Sequence, residues 1–295
     1  MGIVLLAGAL LTLLYAPWSQ EYIRQYAIKM MNKEDMKIQL ESLELSFPLD
    51  VHLTGLALDM PGQSIAAGRL DASVGLLPLL RGHAMISQAD LTDGAFVIGT
   101  PDSAMYMTIK GRTITLSDAD VALSSMDISL NEGIIKGGRV SMTLNPDTTA
   151  ADTAATPPTR MSIAVHRLIL DDFAYNMRML PAIDSLGAAI PAATATDISI
   201  DLYRQAIGLS SFTGSGLDVS YIAPDSATIA ATPVIPTDTA APSTAPWTIT
   251  IDSVGFDRSQ ALYTTRGVKP MPGLDFTYIQ VDSLDLRVKD FYNRA

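Results

Sequence analysis

The chain has no cysteine among its 295 residues. That excludes disulfide staples, thiolate catalysis and every thiolate metal site. It does not fix the redox compartment, because a large β protein persists in an oxidising space without disulfides. Positive charge is also scarce: 20 Lys and Arg stand against 31 Asp and Glu, for a net charge of −11. Such a surface repels phosphate backbones, so nucleic acid is not an expected partner. Histidine is limited to His52, His83 and His166, far apart and each inside or beside an alternating strand pattern. There is no Gly-rich phosphate loop, no HExxH and no serine elbow. Asp171-Asp172 and Asp252 with Asp257 are the best carboxylate candidates for a metal-assisted hydrolase. Both stand in phrases where Asp is expected for turn chemistry. Neither an enzyme nor a cofactor is expected.

What is present first is an apolar start. Ile3 to Ala16 carries no charge, yet it is shorter than the roughly 20 residues a bilayer crossing needs. No Lys or Arg precedes it, so the positive region that opens a secretory signal is missing. Tyr15 and Trp18 stand where an interfacial aromatic belt would stand. The preferred reading is a membrane anchor over residues 1–18, made by Ile3, Val4, Leu5, Leu6, Leu10, Leu11, Leu13, Leu14, Tyr15 and Trp18. A cleaved signal and a buried core helix are the alternatives. Arg24 and Lys29 follow the run, which by the positive-inside rule argues against a periplasmic downstream region. Residues 19–33 read as a short amphipathic helix capped by Ser19. Tyr22, Ile23, Tyr26, Ala27 and Met30 form one stripe, suited to a membrane surface or to the open end of a sheet.

From Met36 the apolar period changes to two, and the chain reads as all-β. Short strands at spacings near ten residues fill a first β region over 34–144, with a Leu-Leu-Pro-Leu-Leu-Arg-Gly elbow at 76–82. Residues 145–160 and 223–246 are rich in Ala, Thr, Asp and Pro and read as flexible loops. A second β region covers 161–222, and a third begins at 247. Met179 to Ala193 leaves room for a short helix between Pro181 and Pro191. A loose phrase recurs at Ile86–Ile98, Val165–Met177, Ile249–Tyr263 and Ile279–Tyr292. Each copy reads as a strand, an Asp-centred turn and a return strand, as in a sheet of stacked hairpins. The last alternates up to Ala295 with nothing to cover its edge, so the protein is expected to continue beyond the chain.

The order of these pieces carries a resemblance. An apolar start, Pro17-Trp18-Ser19-Gln20, a helix, MKIQLESLELSFPLDVHLTGLALD, the Leu-Pro elbow and MISQADLTDGAFVI follow one another. The sequence resembles the N-terminal portion of the AsmA-like proteins, specifically the TamB branch of Bacteroidota-type bacteria. The closing segment, with Phe291-Tyr292-Asn293-Arg294, resembles a stretch lying early in such proteins. The resemblance covers most of the chain apart from the two Ala/Thr/Pro-rich segments. It implies an elongated, curved, taco-like antiparallel sheet behind a single-pass inner-membrane anchor, with the bulk in the periplasm. It also implies phospholipid transport towards the outer membrane, and an outer-membrane barrel partner engaged through a C-terminal part this chain lacks. The expected partner of the sheet itself is membrane lipid. Leu43, Leu45, Phe47, Leu56, Leu58, Met105, Met107, Met126, Ile128 and Met142 are the expected lining of the apolar groove, the methionines as soft contacts for variable acyl chains. The alternative is a structural scaffold for assembling outer-membrane proteins, without lipid transport.

Overall fold

The computed structural model describes residues 15–32, 36–79, 81–103, 105–122, 124–125, 127–145, 162–180, 184–201, 203–204, 206–224 and 248–293. Helix α1 (Pro17–Met31) is followed by β1 (Lys37–Gln39), β2 (Ser42–Ser46), β3 (Asp50–Met60), β4 (Gln63–Val74) and a single helical turn, α2 (Leu76–Leu79). Then come β5 (His83–Ile98), β6 (Met105–Ala122), β7 (Asp127–Lys136), β8 (Arg139–Leu144), β9 (Ser162–Met179), β10 (Asp184–Asp201), β11 (Ala206–Ser215) and β12 (Asp218–Ala223). β13 (Thr248–Thr265) and β14 (Tyr278–Asn293) close the order. All fourteen strands form one sheet, so the protein is all-β.

Three pairs of short strands are single strands broken once. β7 and β8 lie end to end along β6 in one register, and β11 and β12 do the same along β10. β1 and β2 share β3 in the same way. The sheet therefore has eleven strand positions, filled in chain order.

The expected all-antiparallel pairing is corrected. β9 runs parallel to β7 and β8, and β13 runs parallel to β11 and β12. The reason is a three-strand repeat. β5, β6 and β7/β8 correspond to β9, β10 and β11/β12, with the left-handed residues Asp93, Asp118 and Gly137 recurring 79 residues later at Asp172, Asp197 and Gly216. A unit with an odd number of strands ends opposite to where it began. The chain must then cross back before repeating the unit, which makes the joint parallel. The two Ala/Thr/Pro-rich segments are those crossovers, and residues 146–161 and 225–247 lie outside the described residues.

The Asp-centred phrases are not hairpins. Each is one strand of 16 or 18 residues with a left-handed residue inside it. Positive φ occurs at Gly55, Asp93, Gly137, Asp172, Gly216 and Arg258. The strand registers set these side by side, with Gly68, Arg112 and Pro191 between them, as one line across the sheet. Asp118, Asp197 and Asp290 mark a second line. Gly, Asp and Asn tolerate this backbone better than other residues. Pro191 also explains why no helix forms at 179–193: β10 runs through it at the first line, where the ladder is interrupted and a missing N–H costs little.

α1 covers the β1/β2 edge of the sheet. The Tyr15 hydroxyl donates to the Pro48 carbonyl at 2.7 Å, Gln20 Nε2 to the Leu45 carbonyl at 2.7 Å, and Arg24 Nη1 to the Leu40 carbonyl at 2.6 Å. Each donor satisfies backbone on an edge that would otherwise invite pairing. The helix starts at Pro17 after Ala16, so Ser19 is not its cap; its hydroxyl donates back to the Ala16 carbonyl. Tyr22 and Tyr26 stack on each other and point away from the sheet. Among the described residues no helix is long and apolar enough to cross a membrane, and the expected anchor residues Ile3 to Leu14 lie outside them.

Glu21 accepts two hydrogen bonds from Arg24 and one from Gln25, which hold its carboxyl down from 4.5 to about 2. A lowered acid contributes fully above its unfolded pKa and loses that contribution as pH falls through its folded one. Amide-exchange protection of β1 and β2 is therefore expected to drop between about pH 4.5 and 2. Glu21→Gln should remove that step.

Candidate functional site

Side chains of directly paired residues share a face, and successive residues along a strand alternate faces. Following the register across the eleven positions gives one row: Ile38, Leu58, Ile65, Phe96, Ile109, Val140, Tyr175, Ala188, Val219, Ala261, Val281. Every member is apolar or aromatic. A second row runs Leu43, Leu53, Leu70, Leu91, Ile114, Ile135, Leu170, Ala193, Gly214, Phe256, Leu286. A third, from Leu45 through Leu116 and Leu168 to Val288, follows the same face. At about 4.8 Å per strand, such rows are on the order of 48 Å long.

The left-handed lines keep this face apolar. Across the first line the step between inward residues is three instead of two, as at Leu91–Gly94, Ile135–Gly138 and Leu170–Phe173. Without a change of backbone hand, one half of each strand would turn its leucines to the opposite side. Glycine makes room at the same place. A Cβ on Gly94 would lie 2.7 Å from Leu91 Cδ2, and one on Gly138 would lie 2.5 Å from Phe173 Cδ2. Gly138→Val is therefore expected to overpack the face and cost about 1–3 kcal/mol, measured by denaturant unfolding.

The face has no second layer among the described residues. The buried apolar side chains are Ile38, Leu40, Ala67, Ala89, Ala119, Leu170, Ile190, Ala193 and Ala195. Alanine supplies five of these, while Leu70, Leu91, Phe96 and Ile114 stay only half-buried. In a closed core the largest side chains would be the most covered. Here the small ones lie beneath larger neighbours, and the outer surface of those neighbours is open. A cavity of about 340 Å³ sits on β3 to β6, walled by Leu56, Leu70, Leu91, Phe96, Ile109 and Ile114. The Tyr175 phenol shares the apolar face, and burial pushes its pKa up.

Most charge lies on the opposite face; Asp184, at the end of β10, stands on the apolar side and accepts from the Tyr221 hydroxyl at 3.3 Å. His52 Nδ1 lies 2.6 Å from Asp71, which also accepts from Arg69 at 2.6 Å. Those bonds hold the Asp71 carboxyl below its usual range, Arg69 contributing most. His83 pairs with Asp120 and His166 with Asp197 in the same manner. Asp172 is exposed and faces Arg112 at 3.7 Å. Asp252 and Asp257 lie five residues apart along one strand, roughly 16 Å, too far to act as a pair. Among the described residues no cluster of His, Asp or Glu could hold a metal ion.

Of the residues expected to line the groove, Leu43, Leu45, Leu56, Leu58, Met107, Ile128 and Met142 belong to apolar-face rows. Met107 and Met142 are direct partners, continued by Met177 and Leu186. Met105 stands at the strand end opposite Leu144, half-exposed. Phe47 sits in the β2–β3 turn, exposed, just past the strand that carries Leu43 and Leu45, because that strand stops before Pro48. Met126 lies outside the described residues. Leu70, Leu91, Ile114, Ile135, Leu168 and Leu170 were missed, although a three-residue apolar step across Asp or Gly marks most of them.

Fold and site together define an all-β, single-sheet protein with one polar and one open apolar face. No protein-family model matches the chain, and no curated protein matches it.

Proposed function

We propose that the chain handles phospholipid on its open apolar face, contributing to lipid transport between the membranes of an envelope and to outer-membrane biogenesis. The observation that carries this reading is the set of unbroken apolar rows, whose large side chains Leu70, Leu91, Phe96 and Ile114 stay half-exposed, backed by an opposite side that carries most of the charge. An apolar surface of that extent, left open to water, marks an interaction site. On this reading the two left-handed lines are corners that fold the sheet into an elongated, curved, taco-like groove. The resemblance to the TamB branch of the AsmA-like proteins supplies the rest of the proposal. Residues 1–18 anchor the protein in the inner membrane, the sheet lies in the periplasm, and an outer-membrane barrel is the partner of a C-terminal part.

The test is lipid mass spectrometry on the detergent-purified chain. Phospholipid well above that carried by a control β protein is the expected result. Its absence would remove the transport reading and leave the scaffold alternative.

A further inference from the structure

We infer that the corner of the sheet where α1 begins seats on a phospholipid bilayer surface. Large apolar side chains project there from three separate elements. Trp18 and Tyr22 come from the first turns of α1, Phe47 from the β2–β3 turn, and Leu77 and Leu79 from α2. Trp18 is 66% exposed, Phe47 69% and Leu77 71%.

These elements are neighbours. The Val74 N–H, just before α2, donates to the Leu49 carbonyl at 3.0 Å, which sets α2 beside the β2–β3 turn. Tyr15 ties the helix to that same turn through its bond to Pro48 and an edge contact with the Phe47 ring, centroids 6.3 Å apart. Leu77 is conspicuous because the turn that carries it has no buried residue, so its leucines add nothing to a core.

The chemistry of the corner selects a bilayer over another occupant. The chargeless run Ile3–Ala16 joins the described chain here, at Tyr15. Trp and Tyr rings favour the headgroup level, with aliphatic side chains reaching below it. Arg81, exposed just after α2, flanks the patch, where it meets anionic headgroups. An apolar row also begins at this corner with Leu45, whose carbonyl Gln20 holds, so a bilayer held here meets the start of the apolar face.

This inference rests on the membrane anchor of the proposed function, but it and the lipid-carrying apolar face fail separately. The apolar face can lack lipid while the corner is seated, and the reverse. Because the chain has no cysteine, single-cysteine labelling is clean. Leu77→Cys, Phe47→Cys and, at the far edge, Leu274→Cys would each carry a polarity-sensitive fluorophore on the full chain. The labelled chains are reconstituted into vesicles of phosphatidylcholine and phosphatidylglycerol. A blue shift and a several-fold fall in iodide quenching are expected at 47 and 77, with 274, which is 86% exposed, unchanged. If position 77 stays as open to iodide in vesicles as in detergent, the chain is merely tethered and the inference is overturned. Shielding at 77 that rises with protein concentration without vesicles would identify a second copy as the occupant and overturn it too.

Discussion

Replacing Leu91 and Ile114 together by aspartate is expected to strip the purified chain of bound phospholipid while the sheet stays folded. The two residues are direct cross-strand partners in the wall of the 340 Å³ cavity. Neither is fully buried, so in the lipid-free protein both carboxylates keep access to water. Their cost to folding is the lost burial of two half-covered aliphatic side chains, about 1 kcal/mol each, plus the mutual repulsion of like charges set opposite one another, a fraction of 1 kcal/mol. A bound acyl chain changes the balance. It would press hydrocarbon onto two carboxylates with no cation within the row, and burying an unpaired charge costs several kcal/mol. Since each 1.4 kcal/mol is about tenfold in affinity, retained lipid should fall by at least roughly that factor. Thr92 and Thr113 give the control, being partners on the same two strands one residue further along, on the polar face. Thr92→Asp with Thr113→Asp adds the same charge and should leave lipid per chain unchanged by mass spectrometry. Equal loss in both variants would show that net charge, and not the apolar face, governs the lipid signal.

Much of this molecule was legible in its sequence, but at a particular grain. Alternation at Leu43, Leu45 and at Leu56, Leu58 marks strands correctly, because a half-buried sheet needs that period wherever it runs. What alternation could not show is that AMISQADL and GAFVIG are one strand. Asp93-Gly94 has the composition of a turn because Asp and Gly serve both a turn and a single left-handed residue inside a strand. The two differ only in where the next residues pair, and pairing is a long-range property. The same ambiguity hid Leu91 and Ile114, whose phase was reset at each supposed turn. Pro191 misled in the other direction, since proline reads as a breaker unless the ladder is already broken at its position. The 79-residue repeat showed only in its first strand, as the matching phrases Ile86–Ile98 and Val165–Met177, and its other two strands escaped for a further reason. Its apolar positions need only be apolar, so residue identities drift between copies while the left-handed positions stay fixed at Asp93 and Asp172, Asp118 and Asp197, and Gly137 and Gly216.

Those fixed positions make the second prediction. Asp93→Val combined with Asp172→Val is expected to destabilise the protein markedly, whereas the matching pair of glycine substitutions should be neutral or slightly stabilising. Both aspartates hold positive φ, 52° and 53°, where a β-branched side chain crowds its own backbone. The left-handed conformation costs an L-residue roughly 1–2 kcal/mol, and glycine avoids it. The sites lie three strand spacings apart, about 14 Å, so their effects should add, giving roughly 2–4 kcal/mol by denaturant unfolding. Charge loss cannot produce this contrast, because valine and glycine both remove the carboxylate and with it the Asp172 contact to Arg112. The alternative open to the valine variant is to leave the left-handed region, and that is worse. Downstream of position 172 it would turn Phe173, Tyr175 and Met177 to the polar side, away from partners Ile190, Ala188 and Leu186. If valine and glycine variants unfold alike, the left-handed line is not what keeps the apolar rows on one face.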